Sequence, residues 1–151
     1  MLIDTKIIAL MVGVCMVTQI EWSDDLLINV DAIDADHKKL FNLMADIFAS
    51  ASHGADAINR AIGALASYTK EHFSREEESM AGAQYPALEA HKYEHEHLVF
   101  QLEGLINRLM VSGAEAIDSE LAKFLMNWLG GHIMTFDVKY AAYLRETGQH
   151  G

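Results

Sequence analysis

LEAHKYEHEHLVFQLEGLINRL, residues 88–109, carries Leu88, His91, His95, Leu98, Leu102, Leu105 and Leu109 at steps of three and four. That spacing marks one face of an α-helix. The face is apolar along most of its length, yet histidines occupy two of its places. At ~100° per residue a four-residue step turns by only ~40° and rises ~6 Å, so His91 and His95 share the face. His97 is turned ~200° from His95 by the same arithmetic and is expected toward solvent or a helix flank. Glu94 and Glu96 also leave the stripe and belong to a solvated acidic side.

The same period recurs on both sides of this stretch. From about Asp34 to His53, Ile33, His37, Leu40, Phe41, Met44, Ile47 and Phe48 line one face, and Gly54 stops the helix. From about Ala55 to Met80 the stripe is Ile58, Ile62, Leu65, Thr69, His72 and Glu76. AGAQYP (81–86) breaks the chain, with Pro86 suited to the first turn of the third helix. After SGAE (112–115) a fourth helix, from about Ala116, carries Leu121, Leu125, Trp128, His132, Phe136, Tyr140 and Leu144. Four long helices with short connections predict an all-α, up-down-up-down four-helix bundle. Ahead of it, QIEWSDDLLINVDAID (19–34) reads as a partly extended arm anchored by Trp22.

A chain of 151 residues has room for one domain with a sizeable core. Its formal charge of −11 disfavours nucleic acid or an anionic membrane as the main partner. Cys15 is the single cysteine and cannot form an internal disulfide, so a cytoplasmic location and an inert thiol are expected. IIALMVGVCMV (7–17) is an apolar run shorter than the ~20 residues that a spanning helix needs, and no signal-cleavage pattern follows it. Residues 1–19 therefore stand apart as an apolar extension. Its readings are a packing or interfacial helix, a signal or anchor, or a segment ahead of a later start at Met16. Membrane contact is expected only if it anchors.

The inner stripes carry the functional information. Each helix places a metal-ligand type of side chain where Leu or Ile belongs: His37; His72 and Glu76; His91 and His95; His132 with Asp137. Taken singly, each has an ordinary reading. His72 and Glu76 resemble a common exposed helical pair, and His37 resembles a hydrogen-bonded core histidine. Asp137 resembles a partner for Lys139. All these readings must hold together, one per helix, in an interior where an unpaired polar group costs roughly 1–3 kcal/mol. A metal centre satisfies them jointly. His132 and Asp137 are the awkward pair, lying ~140° apart around an α-helix, and they converge only beside a site wide enough for two metals. Five imidazoles and two carboxylates, without thiolate, suit iron, zinc, copper or nickel about equally. They are too many for one tetrahedral zinc and a natural number for two metals bridged by carboxylates.

His37, H72FSRE76, H91KYEH95 and H132IMTFD137 together resemble the hemerythrin family, most closely its single-domain bacterial members. The flanks IEWSDDLLINVDAIDADHKKLF, YPALEAHKYEH and WLGGHIMTFDVKY agree, so the likeness spans about residues 20–146. The resemblance implies a di-iron domain over residues 20–151, with His91, His95 and His132 on one iron and His37 and His72 on the other. Glu76, Asp137 and an oxo or hydroxo group would bridge the two irons. It also implies reversible dioxygen binding at the open position of the second iron, beside Phe73, Trp128, Leu129 and Ile133. A monomer serving oxygen carriage, storage or delivery to an oxygen-using enzyme is expected. An oxygen or redox sensor, and a di-iron enzyme acting on peroxide or nitric oxide, are the alternatives. His53, His97 and His150 have no expected role.

Overall fold

The computed structural model describes residues 9–12, 15–18 and 20–150, with side chains from Ile20 onward. Three helices, α1 (Asp31–Ser50), α2 (Ala55–Gly82) and α3 (Leu88–Ser112), are joined by short turns. After a 3-10 turn at Gly113–Ala116 comes a fourth rod. It is built from α4 (Ser119–Leu125), two π-helical segments (Met126–Gly130 and Ile133–Asp137) and α5 (Val138–Thr147). The rods form the four-helix bundle that the stripes predict, with α1 packed on α2 and α2 on α3. Leu40, Met44, Ile47, Leu65, Leu102, Leu109, Leu121 and Leu125 are shut off from solvent in its core. Burying each such side chain contributes about 1.5–3 kcal/mol.

Local chemistry moves the helix ends slightly from their expected places. The first helix begins at Asp31 and ends at Ser50, and Gly54 turns the chain at φ 87°. The fourth rod starts at Ser119 rather than about Ala116, because the Asp118 carboxylate accepts the Leu121 amide at 2.8 Å and caps it there. The corner between α2 and α3 is tied to the end of the fourth rod. The Tyr143 hydroxyl lies 2.9 Å from the Ala83 carbonyl, and the Gln149 side-chain amide also donates to that carbonyl.

The fourth rod overturns one sequence expectation. An α-helical count puts Phe136 on the inward stripe after His132 and turns Asp137 away. Instead Asp137 is fully buried and Phe136 only half-buried. The Val138 amide reaches back five residues to the Ile133 carbonyl, which is a π turn. A π turn takes up one extra residue, so positions five apart fall nearly above one another. His132 and Asp137 therefore share a face without any widening of the site.

The arm is pinned to the head of α1. Ile20, Leu26 and Ile28 are buried, and Trp22 meets Phe41 edge-on at 5.4 Å. Asn29 sits at φ 62°, a left-handed conformation that asparagine tolerates better than most residues. Buried Asp34 holds this turn by accepting the amides of Ile28 at 2.9 Å and Asn29 at 3.0 Å. Ahead of the arm, β1 (Ala9–Val12) and β2 (Cys15–Thr18) pair antiparallel, Ala9 opposite Thr18 and Val12 opposite Cys15. Two paired strands thus stand where a helix was considered for this apolar run. Its β-branched Val12, Val17 and Thr18 favour strands, and Gly13 weakens a helix. The rest of the extension, residues 1–8, 13–14 and 19, lies outside the described residues, and with it the expected signal or anchor. Among the described residues no helix is long and apolar enough to cross a membrane.

Asp34→Ala removes both charge-assisted hydrogen bonds to the arm. It is expected to cost roughly 3 kcal/mol in a denaturant titration; a loss within experimental error would show that the arm is held by packing alone.

Candidate metal centre

The four rods bring together every ligand-type residue that the stripes single out. His37 comes from α1, His72 and Glu76 from α2, His91 and His95 from α3, and His132 and Asp137 from the fourth rod. None is more than 4% exposed. Their ligand atoms fall into two groups, each within 4.8 Å: Glu76, His91, His95, His132 and Asp137 in one, and His37, His72 and Glu76 in the other. Glu76 belongs to both. Asp137 faces both, its Oδ1 lying 3.2 Å from His91 Nε2 and 3.0 Å from His132 Nε2, and its Oδ2 3.1 Å from His37 Nε2. Glu76 Oε2 lies 3.3 Å from His91 Nε2, 3.0 Å from His95 Nε2 and 4.0 Å from His72 Nε2.

Most of these short distances are not hydrogen bonds. His37 Nε2, His72 Nε2, His95 Nε2, His132 Nε2, Glu76 Oε1 and both Asp137 oxygens are buried without a hydrogen-bond partner. Native interiors rarely tolerate one such atom, and each costs about 1–3 kcal/mol. Imidazole nitrogens and carboxylate oxygens aimed at common points are the donor set of a transition-metal site. The residues therefore fit a two-metal centre.

The electrostatics agree. Burial alone would raise the Asp137 carboxyl, but His132, His37 and His91 hold it well below the usual range. Burial and Asp137 likewise push Glu76 up, and His91, His95 and His72 overcome them and bring it down. Burial disfavours the charged form of His91, yet the close Asp137 and Glu76 carboxylates lift it to about 9. In the metal-free chain, a proton on His91 thus offsets part of the carboxylate charge.

A further layer of carboxylates lies outside the cluster. His72 Nδ1 donates to Asp36 Oδ2 at 3.0 Å, and His95 Nδ1 donates to Glu77 Oε1 at 2.7 Å. Asp36 also accepts the Tyr68 hydroxyl at 2.7 Å and two guanidinium N–H groups of Arg75 at 3.0 and 3.1 Å. The sequence reading missed Asp36 and Glu77. The only hint was position: each adjoins a stripe residue in the chain, Asp36 before His37 and Glu77 after Glu76.

All four residues expected to wall the site are buried. Phe73 stacks on the His95 ring at 3.8 Å and lies 5.6 Å from that of His72. Trp128 points its indole N–H away, donating to the Leu98 carbonyl at 3.0 Å. Leu129 and Ile133 flank His132 on the fourth rod and are fully enclosed. The three remaining histidines stay out of the cluster. His53 and His150 are exposed, and exposed His97 borders an outer groove of about 390 Å³ between α3 and the fourth rod.

Comparison with known proteins gives this geometry a family. The Hemerythrin HHE cation binding domain matches residues 29–144. The bacteriohemerythrin of Stenotrophomonas maltophilia is 37% identical over 121 residues, 80% of this chain and 78% of its own. That of Pseudomonas paraeruginosa is 33% identical over 129 residues, 83% and 82% of the two chains. A crystal structure of a hemerythrin mutant superposes with a TM-score of 0.69 at 28% identity, covering 82% of this chain and 95% of that one. With its bundle, its paired ligand groups and these matches, the chain belongs to the hemerythrin family, whose members carry a di-iron centre and bind oxygen there.

Proposed function

We propose that this chain binds dioxygen reversibly at a di-iron centre, for carriage, storage or delivery. The observation that carries this reading is the position of Asp137, one oxygen toward His91 and His132 and the other toward His37. With Glu76 shared by both ligand groups, the two carboxylates are disposed to bridge. His91, His95 and His132 would then hold one iron, and His37 and His72 the other. The second half has one protein donor fewer and is where a small ligand gains access. When bound, two ferrous ions supply the pair of electrons and the open coordination position that dioxygen requires.

The chain's own contribution is to exclude water and acids. Phe73, Trp128, Leu129 and Ile133 bring apolar surface, and the one N–H among their side chains is already engaged by Leu98. A dry wall without a free proton donor slows the protonation that would expel a reduced oxygen species, which supports binding over turnover. In this reading residues 20–151 are the di-iron domain, residues 1–19 lie outside it, and a cytoplasmic monomer hands oxygen to an oxygen-using enzyme.

The test is a visible spectrum with iron counted per chain. Protein reduced without air is expected to be colourless, to gain charge-transfer bands in air and to lose them on deoxygenation, at about two irons per chain. Bands that form once and never reverse would sink carriage. Asp137→Asn and Glu76→Gln are expected to lower the iron count to about one or fewer, whereas His97→Ala leaves it unchanged.

Proton linkage gives a second check. His91 is raised from 6.5 to about 9, so its protonation stabilises the metal-free fold fully below about pH 6.5, and that contribution fades as pH rises through about 9. A metal must displace this proton. Calorimetric titration with a divalent metal is expected to show affinity rising with pH across that window and about one or more protons released. PH-independent uptake would contradict the ligand role of His91.

A further inference from the structure

The two outer carboxylates are built differently. Asp36 stands on α1, and its three donors stand on α2 at Tyr68, His72 and Arg75, spaced to lie on one face. Asp36 Oδ1 takes the Tyr68 hydroxyl and one Arg75 N–H; Oδ2 takes His72 Nδ1 and the other Arg75 N–H. Arg75 in turn lies over the Tyr68 ring at 5.3 Å. Each carboxylate oxygen is thus held by two donors, and the neighbouring guanidinium offsets its charge. Glu77 is 26% exposed in its side chain and makes, among the described residues, only the one hydrogen bond to His95.

We propose that Asp36, clamped by Tyr68 and Arg75, is the positioning residue for the His37–His72 half of the metal centre. It keeps the His72 proton on Nδ1, which leaves Nε2 free to face the metal. The opposite tautomer would put a hydrogen where the metal must bind. Through its single flexible contact, Glu77 gives His95 a charged partner instead of a rigid one. The two halves therefore differ in kind, a stiff neutralised support on the more open side and a loose charged one on the fuller side. This inference rests on the di-iron reading above.

The test compares Asp36→Leu, Asp36→Asn and Arg75→Gln in the full chain. Asp36→Leu removes the acceptor and is expected to lose about tenfold to a hundredfold in iron affinity at one of the two sites. It should also lose the slowly exchanging His72 Nδ1–H resonance in NMR of the metal-free protein. Asp36→Asn keeps an acceptor oxygen and should restore most of the affinity. Arg75→Gln should lower Tm while leaving iron uptake within about threefold of the parent, well short of an orienting-residue loss. Wild-type affinity and an unchanged His72 resonance in Asp36→Leu would overturn the inference. So would parallel losses of iron and Tm in Asp36→Leu and Arg75→Gln, since these would reduce Asp36 to a cross-link between α1 and α2. Absence of iron in the parent chain would instead sink the di-iron reading itself.

Discussion

Two carboxylates and five imidazoles cannot be buried in the middle of a small apolar bundle unless they face one another. The architecture follows from that constraint. Each rod gives up one or two of its best core positions to the cluster, and the pure hydrocarbon packing is displaced to Leu102, Leu109, Leu121 and Leu125, away from the polar centre. One end of the bundle is then fastened by other means, Asp34 holding the arm and Tyr143 and Gln149 gripping the α2–α3 corner. A loose end would let the rods rotate. Rotation by a fraction of a turn would separate groups that are tolerable only in contact.

This also explains why the centre is layered. The polar cost is not met by the seven inner residues alone, since many of their atoms have no hydrogen-bond partner among themselves. Asp36 and Glu77 satisfy the outward nitrogens of His72 and His95, and the apolar rings of Phe73 and Trp128 close the remaining approaches. Tyr140 adds a last contact just outside, its hydroxyl 2.8 Å from that of Ser79, one turn beyond Glu76. Burial and the Glu76 carboxylate push this phenol up despite its bond to Ser79, so it keeps its proton.

Much of this was legible in the sequence because helical periodicity is a strong signal. The stripes of α1, α2 and α3 place His37, His72, Glu76, His91 and His95 on inner faces by arithmetic alone, and His97 outside. The fourth rod defeated the same arithmetic. Nothing in GGHIMTFD announces a π turn, which is a choice of hydrogen-bond partner that tertiary contacts make. Asp36 and Glu77 escaped for another reason. In a linear reading they are two acidic residues among many, and only the folded distances distinguish them from a solvated face. The pairing of Ala9–Val12 with Cys15–Thr18 was missed because a short apolar run carries little information about its own conformation.

The π turns also make chain length a part of the centre's definition. Between His132 and Asp137 the number of intervening residues matters as much as their identity, for each π segment stores one residue more than the cylinder it occupies. One residue more anywhere in residues 133–136, beyond the one that the π turn takes up, would turn everything after it by ~100°. Asp137 would then turn from the histidines, Tyr140 would leave Ser79 and Tyr143 would leave the Ala83 carbonyl. The rod is thus phased twice, once at the cluster and once at the far corner. A sequence that drifts here can exchange side chains far more freely than it can gain a position.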